Sequence, residues 1–73
     1  MESITIRDEF IKLGQAMKLA SMVSSGVDAK MVITEGLVKV NGEVCLQRGK
    51  KLYSGDVIEY NNQKVSISWF YEV

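Results

Sequence analysis

The residues of this chain that could do chemistry are its lysines and arginines, which concentrate in the middle of the sequence. Residues 12–51 carry seven basic and three acidic side chains, whereas residues 1–11 and residues 52–73 each carry one basic and three acidic side chains. A net charge of zero therefore conceals a centre of +4 between two ends of −2 each. Because phosphate responds to the local field, this pattern is compatible with a nucleic-acid ligand.

Two sets of basic residues are candidates for contact with phosphate groups. Lys18 and Lys30 lie outside the apolar stripes of two predicted helices, and a tight helical hairpin can bring them to one surface. The run 48–51 is short and basic, and its glycine permits a close approach to a backbone. We expect the two sets to form one phosphate-binding surface. With three lesser candidates included, the predicted contact residues are Lys18, Lys30, Arg48, Lys50, Lys51, Lys12, Lys39 and Gln15.

Residues suited to catalysis or metal binding are few. The chain has no histidine and one cysteine, so it offers neither a histidine acid–base pair nor a metal-ligand spacing. Its glycines do not form a phosphate-binding loop or a dinucleotide fingerprint. Without a histidine partner, Cys45 is expected to be an inert small residue rather than a nucleophile. We expect no enzymatic activity, no cofactor, no metal and no small-molecule substrate.

Length and composition predict one domain, residues 1–73, of an ordinary globular kind. At 73 residues the chain is near the lower limit for a core that folds without disulfides or metals, and its apolar fraction of 47% suits an ordinary compact globule. No apolar run approaches the roughly 20 residues that span a membrane, and the first residues lack the features of a secretory signal. One cysteine cannot form an internal disulfide. We expect a cytoplasmic protein without a membrane partner.

The stretch from Ser25 to Gly42 predicts a helix followed by a β-hairpin. Ser25 is a suitable N-cap, and Asp28 places a carboxylate in the first turn, where the helix dipole favours it. Gly36 suits the left-handed position that ends a helix. Beyond it the apolar residues alternate, and the pair Asn41-Gly42 is a strong signal for a hairpin turn.

The rest of the chain predicts one further helix and several strands. The fold class is therefore α+β, with two short packed helices against a small antiparallel β-sheet. In chain order, the other predicted elements are a strand at 3–6, a helix from 12–14 to about residue 22, a return strand from residue 43, an irregular basic loop at 45–51, and strands at 57–60 and 64–69 joined by a turn at 61–62.

The central stretch resembles the alpha-L RNA-binding domain, also called the S-four domain. Two further phrases, at residues 18–20 and 48–53, are similar to its small stand-alone bacterial members, the YaaA/YbcJ group. The resemblance covers about residues 13–60. The residues that carry it in the central stretch are Ser25, Ala29-Lys30, Val32-Ile33, Gly36, Val38 and Val40-Asn41-Gly42, followed by Gly55-Asp56-Val57-Ile58.

The resemblance implies a non-catalytic protein that binds RNA across the helical pair and the adjoining loops. It implies ribosomal RNA or a ribosome-assembly intermediate as the ligand. Many family members have an arginine directly after the N-cap serine, where this chain has Gly26, so one direct RNA contact is absent. Tyr53 is the aromatic residue nearest to the basic run, and none interleaves with it. This favours structured RNA, recognised by shape and phosphates, over base stacking on single strands.

The aromatic run Trp69-Phe70-Tyr71 leaves an alternative function open. We expect alternate residues of this last strand to cap the core. If the aromatic residues are exposed instead, the chain is a protein-interaction module whose apolar C-terminal end binds a ribosomal protein or assembly factor. The turns at Asn41-Gly42 and Gly55-Asp56 are expected to be structural.

Overall fold

Two short helices and a five-stranded sheet share one apolar core in the computed structural model, which describes residues 1–70. The prediction of an α+β fold with two packed helices is confirmed. Within that part of the chain, no helix has the length and apolar character needed to cross a membrane. The elements are β1 (Glu2–Ile6), β2 (Ile11–Lys12), α1 (Leu13–Leu19), α2 (Gly26–Thr34), β3 (Lys39–Val40), β4 (Glu43–Val44), β5 (Lys51–Leu52), β6 (Val57–Tyr60) and β7 (Gln63–Trp69).

The main sheet is mixed rather than wholly antiparallel. Its strand order is β1-β7-β6-β3-β4, and β1 pairs parallel with β7, so that Glu2 lies opposite Val65 and Ile6 opposite Trp69. The other pairs in this sheet are antiparallel. Alternating apolar residues identify a strand but not its neighbour, which is why the sequence did not reveal the parallel pair.

The core lies where the sheet meets both helices. Val38 and Val40 are buried while Leu37 is half-exposed, as the predicted alternation requires. The largest fully buried side chains come from both helices, from the sheet and from β5; they are Leu13, Met17, Ile33, Leu52, Ile58, Ile67, Val38 and Val65.

Both helices end in a Schellman motif, in which two amides beyond the helix donate back to carbonyls of its last turn. After α2, Gly36 has φ +78° and the Leu37 amide donates to the Val32 carbonyl over 3.1 Å, as the glycine predicted. After α1, Ser21 takes the left-handed position at φ 58°, and the Met22 amide donates to the Met17 carbonyl over 2.9 Å. Helix α1 therefore ends at Leu19, earlier than predicted, because a serine gives no obvious signal for this conformation.

The predicted N-cap and hairpin turn are confirmed, and the turn has an added role. Ser25 Oγ accepts from the Asp28 amide over 3.1 Å at the start of α2. Asn41 and Gly42 have φ values of 52° and +85°. The Asn41 side chain also accepts from the Val57 amide over 2.9 Å and donates to Asp56 over 3.0 Å. It thus ties the hairpin turn to the start of β6.

A second sheet of two short strands was not predicted. In this β2–β5 ribbon, Ile11 lies opposite Leu52 and Lys12 opposite Lys51. Leu52 is fully buried and Ile11 packs against the core, while both lysines are exposed. Lys51 therefore belongs to a strand rather than to the irregular loop. Two residues in each strand are too few for alternation to identify.

Candidate nucleic-acid interface

The basic loop, which is the segment 45–50 between β4 and β5, docks on the first turn of α1. The Leu13 amide donates to the Lys50 carbonyl over 2.9 Å, and the Gly14 amide donates to the Arg48 carbonyl over 3.0 Å. Amides in the first turn of a helix have no partner within the helix. The loop carbonyls satisfy two of them, so these hydrogen bonds fix Arg48 beside α1.

Gly14 is the residue that allows this close approach. A Cβ atom built on Gly14 would lie 2.8 Å from Arg48 Cγ and 3.4 Å from Arg48 Cδ. Any larger residue would therefore displace the aliphatic part of the Arg48 side chain. Gly14 is the second residue of α1 and lies in its first turn.

Four of the predicted contact residues meet around one depression, which we call the basic concavity. Its volume is about 290 Å³. Three cations and an amide line it together with three glycines, and none of these described lining residues is acidic. The lining residues are Lys12, Gln15, Lys18 and Arg48, with Gly14, Gly26 and Gly49.

Two further predicted residues lie next to the basic concavity. Lys51 is the cross-strand neighbour of Lys12 in the β2–β5 ribbon. Side chains of paired residues in an antiparallel ladder share a face, so Lys51 extends the basic surface beyond Lys12. Lys30 is exposed four residues after Gly26 in α2, a spacing that places it one turn further along the same helix face.

The remaining two candidates lie elsewhere. Lys50 lines a separate depression with Glu43, Val44 and Leu46 and is not among the residues that line the basic concavity. Lys39 is exposed on β3, with Glu59 as its cross-strand neighbour. The structure thus divides the run 48–51: Arg48 and Gly49 line the concavity, Lys51 adjoins it, and Lys50 lines the separate depression.

A comparison with models of protein families shows to which family this chain belongs. The sequence model of the S4 domain matches residues 4–68. This chain belongs to the S4-domain family. The resemblance to the alpha-L domain, and to its small stand-alone members, is confirmed by this match and by the relatives described next.

The S4-domain protein has bacterial relatives of similar size. It is 50% identical over 56 residues to the "Probable ribosome maturation protein RlbA" of Bacillus subtilis (strain 168), a match that covers 77% of this chain and 79% of that protein. It is 32% identical over 57 residues to the "Putative RNA-binding protein YbcJ" of Escherichia coli (strain K12), covering 78% of this chain and 81% of that protein.

Solved structures share its fold. The solution structure of E. coli YbcJ, whose alpha-L motif is described as involved in RNA binding, has a TM-score of 0.72 at 28% identity. That match covers 93% of this chain and 87% of YbcJ. The 30S ribosomal protein S4e of Thermoplasma acidophilum has a TM-score of 0.67 at 25% identity, covering 80% of this chain and 31% of that one.

No aromatic residue interleaves with the basic run in the sequence, but in the fold two aromatic rings lie beside its last residue. Lys51 Nζ lies 4.7 Å from the centre of the Phe10 ring, and the Phe10 and Tyr53 ring centres are 6.1 Å apart. The β2–β5 ribbon brings these residues together across a long sequence separation. In the sequence, this arrangement is indicated only by a short alternation of residue types in residues 10–12 and 51–53. Segments this short could not be recognised as a pair of strands.

The C-terminal aromatic residues are half-exposed rather than part of the core. Trp69 is 42% and Phe70 40% exposed, so the prediction that this run caps the core is wrong for these two residues. The Arg7 guanidinium lies 4.5 Å from the centre of the Phe70 ring. Tyr71, the third residue of the run, lies outside the described residues.

Proposed function

We propose that this S4-domain protein is a cytoplasmic, non-catalytic RNA-binding protein whose ligand is structured ribosomal RNA or a ribosome-assembly intermediate. The observation that carries the proposal is the meeting of Lys12, Lys18 and Arg48 around one concavity whose lining, among residues 1–70, includes no acidic residue. The names of two relatives support it, since one is a probable ribosome maturation protein and the other a putative RNA-binding protein.

The chemistry of the basic concavity suits the sugar-phosphate backbone. Two ammonium groups and a guanidinium attract phosphates, and the fixed geometry of Arg48 allows two parallel hydrogen bonds to one phosphate. Gln15 offers an amide that donates to a phosphate oxygen and accepts from a ribose 2′-hydroxyl. Such contacts recognise the shape of a folded RNA more than its base sequence.

The test is crosslinking of the protein to RNA in cells, followed by sequencing of the bound RNA. The double variant Lys18→Glu/Arg48→Glu removes two cations from the basic concavity. Lys64→Glu is the matched control, because Lys64 is exposed on β7 opposite Glu59 and does not line the concavity. We expect ribosomal RNA to be enriched with the native protein and the control, and lost with the double variant. Equal recovery from all three proteins would overturn the proposal.

The exposed Trp69 and Phe70 favour a second candidate, a protein-interaction module for a ribosomal protein or assembly factor. Ribonuclease digestion of a lysate separates the two functions. An RNA-binding protein leaves the ribosomal particles when their RNA is cut, whereas a protein held by a protein partner still co-sediments with that partner.

A further inference from the structure

An aromatic face adjoins the basic concavity on the outer side of the β2–β5 ribbon. Side chains alternate between the two faces of a strand. Since Ile11 and Leu52 point to the core, Lys12 and Lys51 point outwards, and the same alternation turns Phe10 and Tyr53 outwards. The tilted packing of Phe10 against Tyr53, at 51° between ring planes, agrees with this placement. We call Phe10, Lys51 and Tyr53 the aromatic face.

A groove next to Tyr53 has the lining that a nucleobase requires. It has a volume of about 360 Å³ and is lined by Arg7, Glu9, Tyr53, Ser54 and Trp69. The two aromatic side chains offer stacking surfaces, and the other three offer hydrogen-bonding groups for the edge of a base. Because the charges of Arg7 and Glu9 oppose one another, the groove favours a neutral ring over a phosphate.

We infer that the aromatic face and this groove bind an unpaired base that flanks the structured RNA held in the basic concavity. The inference rests on the proposed function and adds a single-stranded flank to the ligand. Lys12 lines the concavity, and its neighbour Lys51 lies over the Phe10 ring. An RNA backbone that follows these two lysines carries its next base to Tyr53, whose side chain is 45% exposed.

Charge favours RNA over an apolar peptide as the occupant. Lys12 lies beside the aromatic face, and Lys51, which belongs to it, contacts the Phe10 ring through its ammonium group. A polyanion gains from these two charges, while an apolar peptide would have to desolvate them. Stacking on an exposed aromatic ring is tolerant of base identity, so the face predicts a preference for unpaired over paired RNA rather than for one sequence.

The test compares two RNA hairpins with the same stem, one blunt and one with a single-stranded 3′ tail of adenosines. Binding is measured by fluorescence anisotropy of the labelled RNA and by the fluorescence of Trp69, the one tryptophan of the chain. We expect the tail to raise the affinity about tenfold, as one stacked base would, and to change the Trp69 fluorescence. The blunt hairpin should bind without that change.

Three variants test whether Tyr53 causes the gain in affinity from the tail. Tyr53→Leu removes the ring but keeps the backbone, whose amide donates to Asp56 over 2.8 Å, and should abolish the gain from the tail. Tyr53→Phe retains the ring and should retain the gain. Tyr60→Leu is the matched control, because Tyr60 lies in a different depression with Met22 and Val32 and does not line the groove.

The outcomes separate the inference from the proposed function. If blunt and tailed hairpins bind equally well, or if Tyr53→Leu keeps the gain, the inference is overturned while RNA binding by the basic concavity stands. If neither hairpin binds at low salt, the proposed function fails and the inference fails with it. A third outcome is that the native protein stays with ribosomal particles after ribonuclease digestion and Tyr53→Leu does not. The aromatic face would then bind a protein, and the inference would be overturned.

Discussion

At the scale of single residues, the position of Arg48 depends on the missing side chain of Gly14. The guanidinium can line the basic concavity because its aliphatic part passes where a Cβ of residue 14 would lie, 2.8 Å from Arg48 Cγ. The sequence predicted that this helix begins at residues 12–14, which places Gly14 at its start. It could not predict this contact, because Gly14 and Arg48 meet only through the folded chain.

Gly14→Ala should weaken RNA binding about threefold to tenfold. It displaces Arg48, and the charged hydrogen bond from Arg48 to an RNA phosphate would then be partly lost. The free energy of unfolding should change little, because alanine is favoured over glycine in a helix by about 1 kcal/mol and this opposes the clash. Anisotropy titrations and urea denaturation measure the two quantities. The control is Gly14→Ala in an Arg48→Ala background, where the long side chain that meets the new Cβ is absent, and it should leave the affinity of that background unchanged. An unchanged affinity in Gly14→Ala would contradict the account.

Gly26→Arg should strengthen RNA binding about fivefold. Gly26 lines the basic concavity, and a Cβ there meets nothing within 4 Å, so an arginine fits and adds a fourth cation. One added phosphate contact should also steepen the salt dependence of the affinity by about one unit of slope. Gly26→Ala, which adds a side chain without a charge, should change neither the affinity nor its salt dependence. If Gly26→Arg binds no more tightly than Gly26→Ala, the RNA does not reach this wall of the concavity.

At the scale of elements, the predictable parts are those where residue type alone determines the local conformation. Ser25 and Gly36 mark the two ends of α2 because a hydroxyl cap and a glycine are the usual residues there. The end of α1 was not predictable, because it depends on Ser21 in the left-handed conformation, which serine seldom adopts. The β2–β5 ribbon was not predicted because each strand has only two residues, which is too short for a recognisable pattern. The strands form because they pair with each other.

Ser25→Ala should lower the free energy of unfolding by about 1 kcal/mol, the usual cost of losing an N-cap. The Ser25 hydroxyl accepts from the Asp28 amide, which has no other partner within the first turn. Urea denaturation measures the change. Ser24→Ala is the neighbouring control and should cost less, because it removes only an exposed hydrogen bond from Ser24 Oγ to the Asp28 carboxylate, at 2.7 Å. Equal costs for the two variants would show that the cap does not stabilise α2.

At the scale of the whole molecule, the fold joins basic residues that are distant in the sequence. The first residues of α1 meet the basic loop through backbone hydrogen bonds, and the start of α2 supplies Gly26 to the same concavity. Charge pattern predicted that such a surface exists. It could not assign each member, because whether Lys50 or Arg48 faces the concavity depends on the course of the loop.

The salt dependence of RNA binding tests the central claim most directly. The surface formed by the concavity, Lys30 and Lys51 offers five cations, namely Lys12, Lys18, Lys30, Arg48 and Lys51. Engagement of about five phosphates predicts that the logarithm of the association constant falls against the logarithm of salt concentration with a slope of roughly −4. The measurement is a titration of a ribosomal RNA hairpin at several salt concentrations. A slope near −4 agrees with phosphate binding by this surface, and a slope near zero would contradict it.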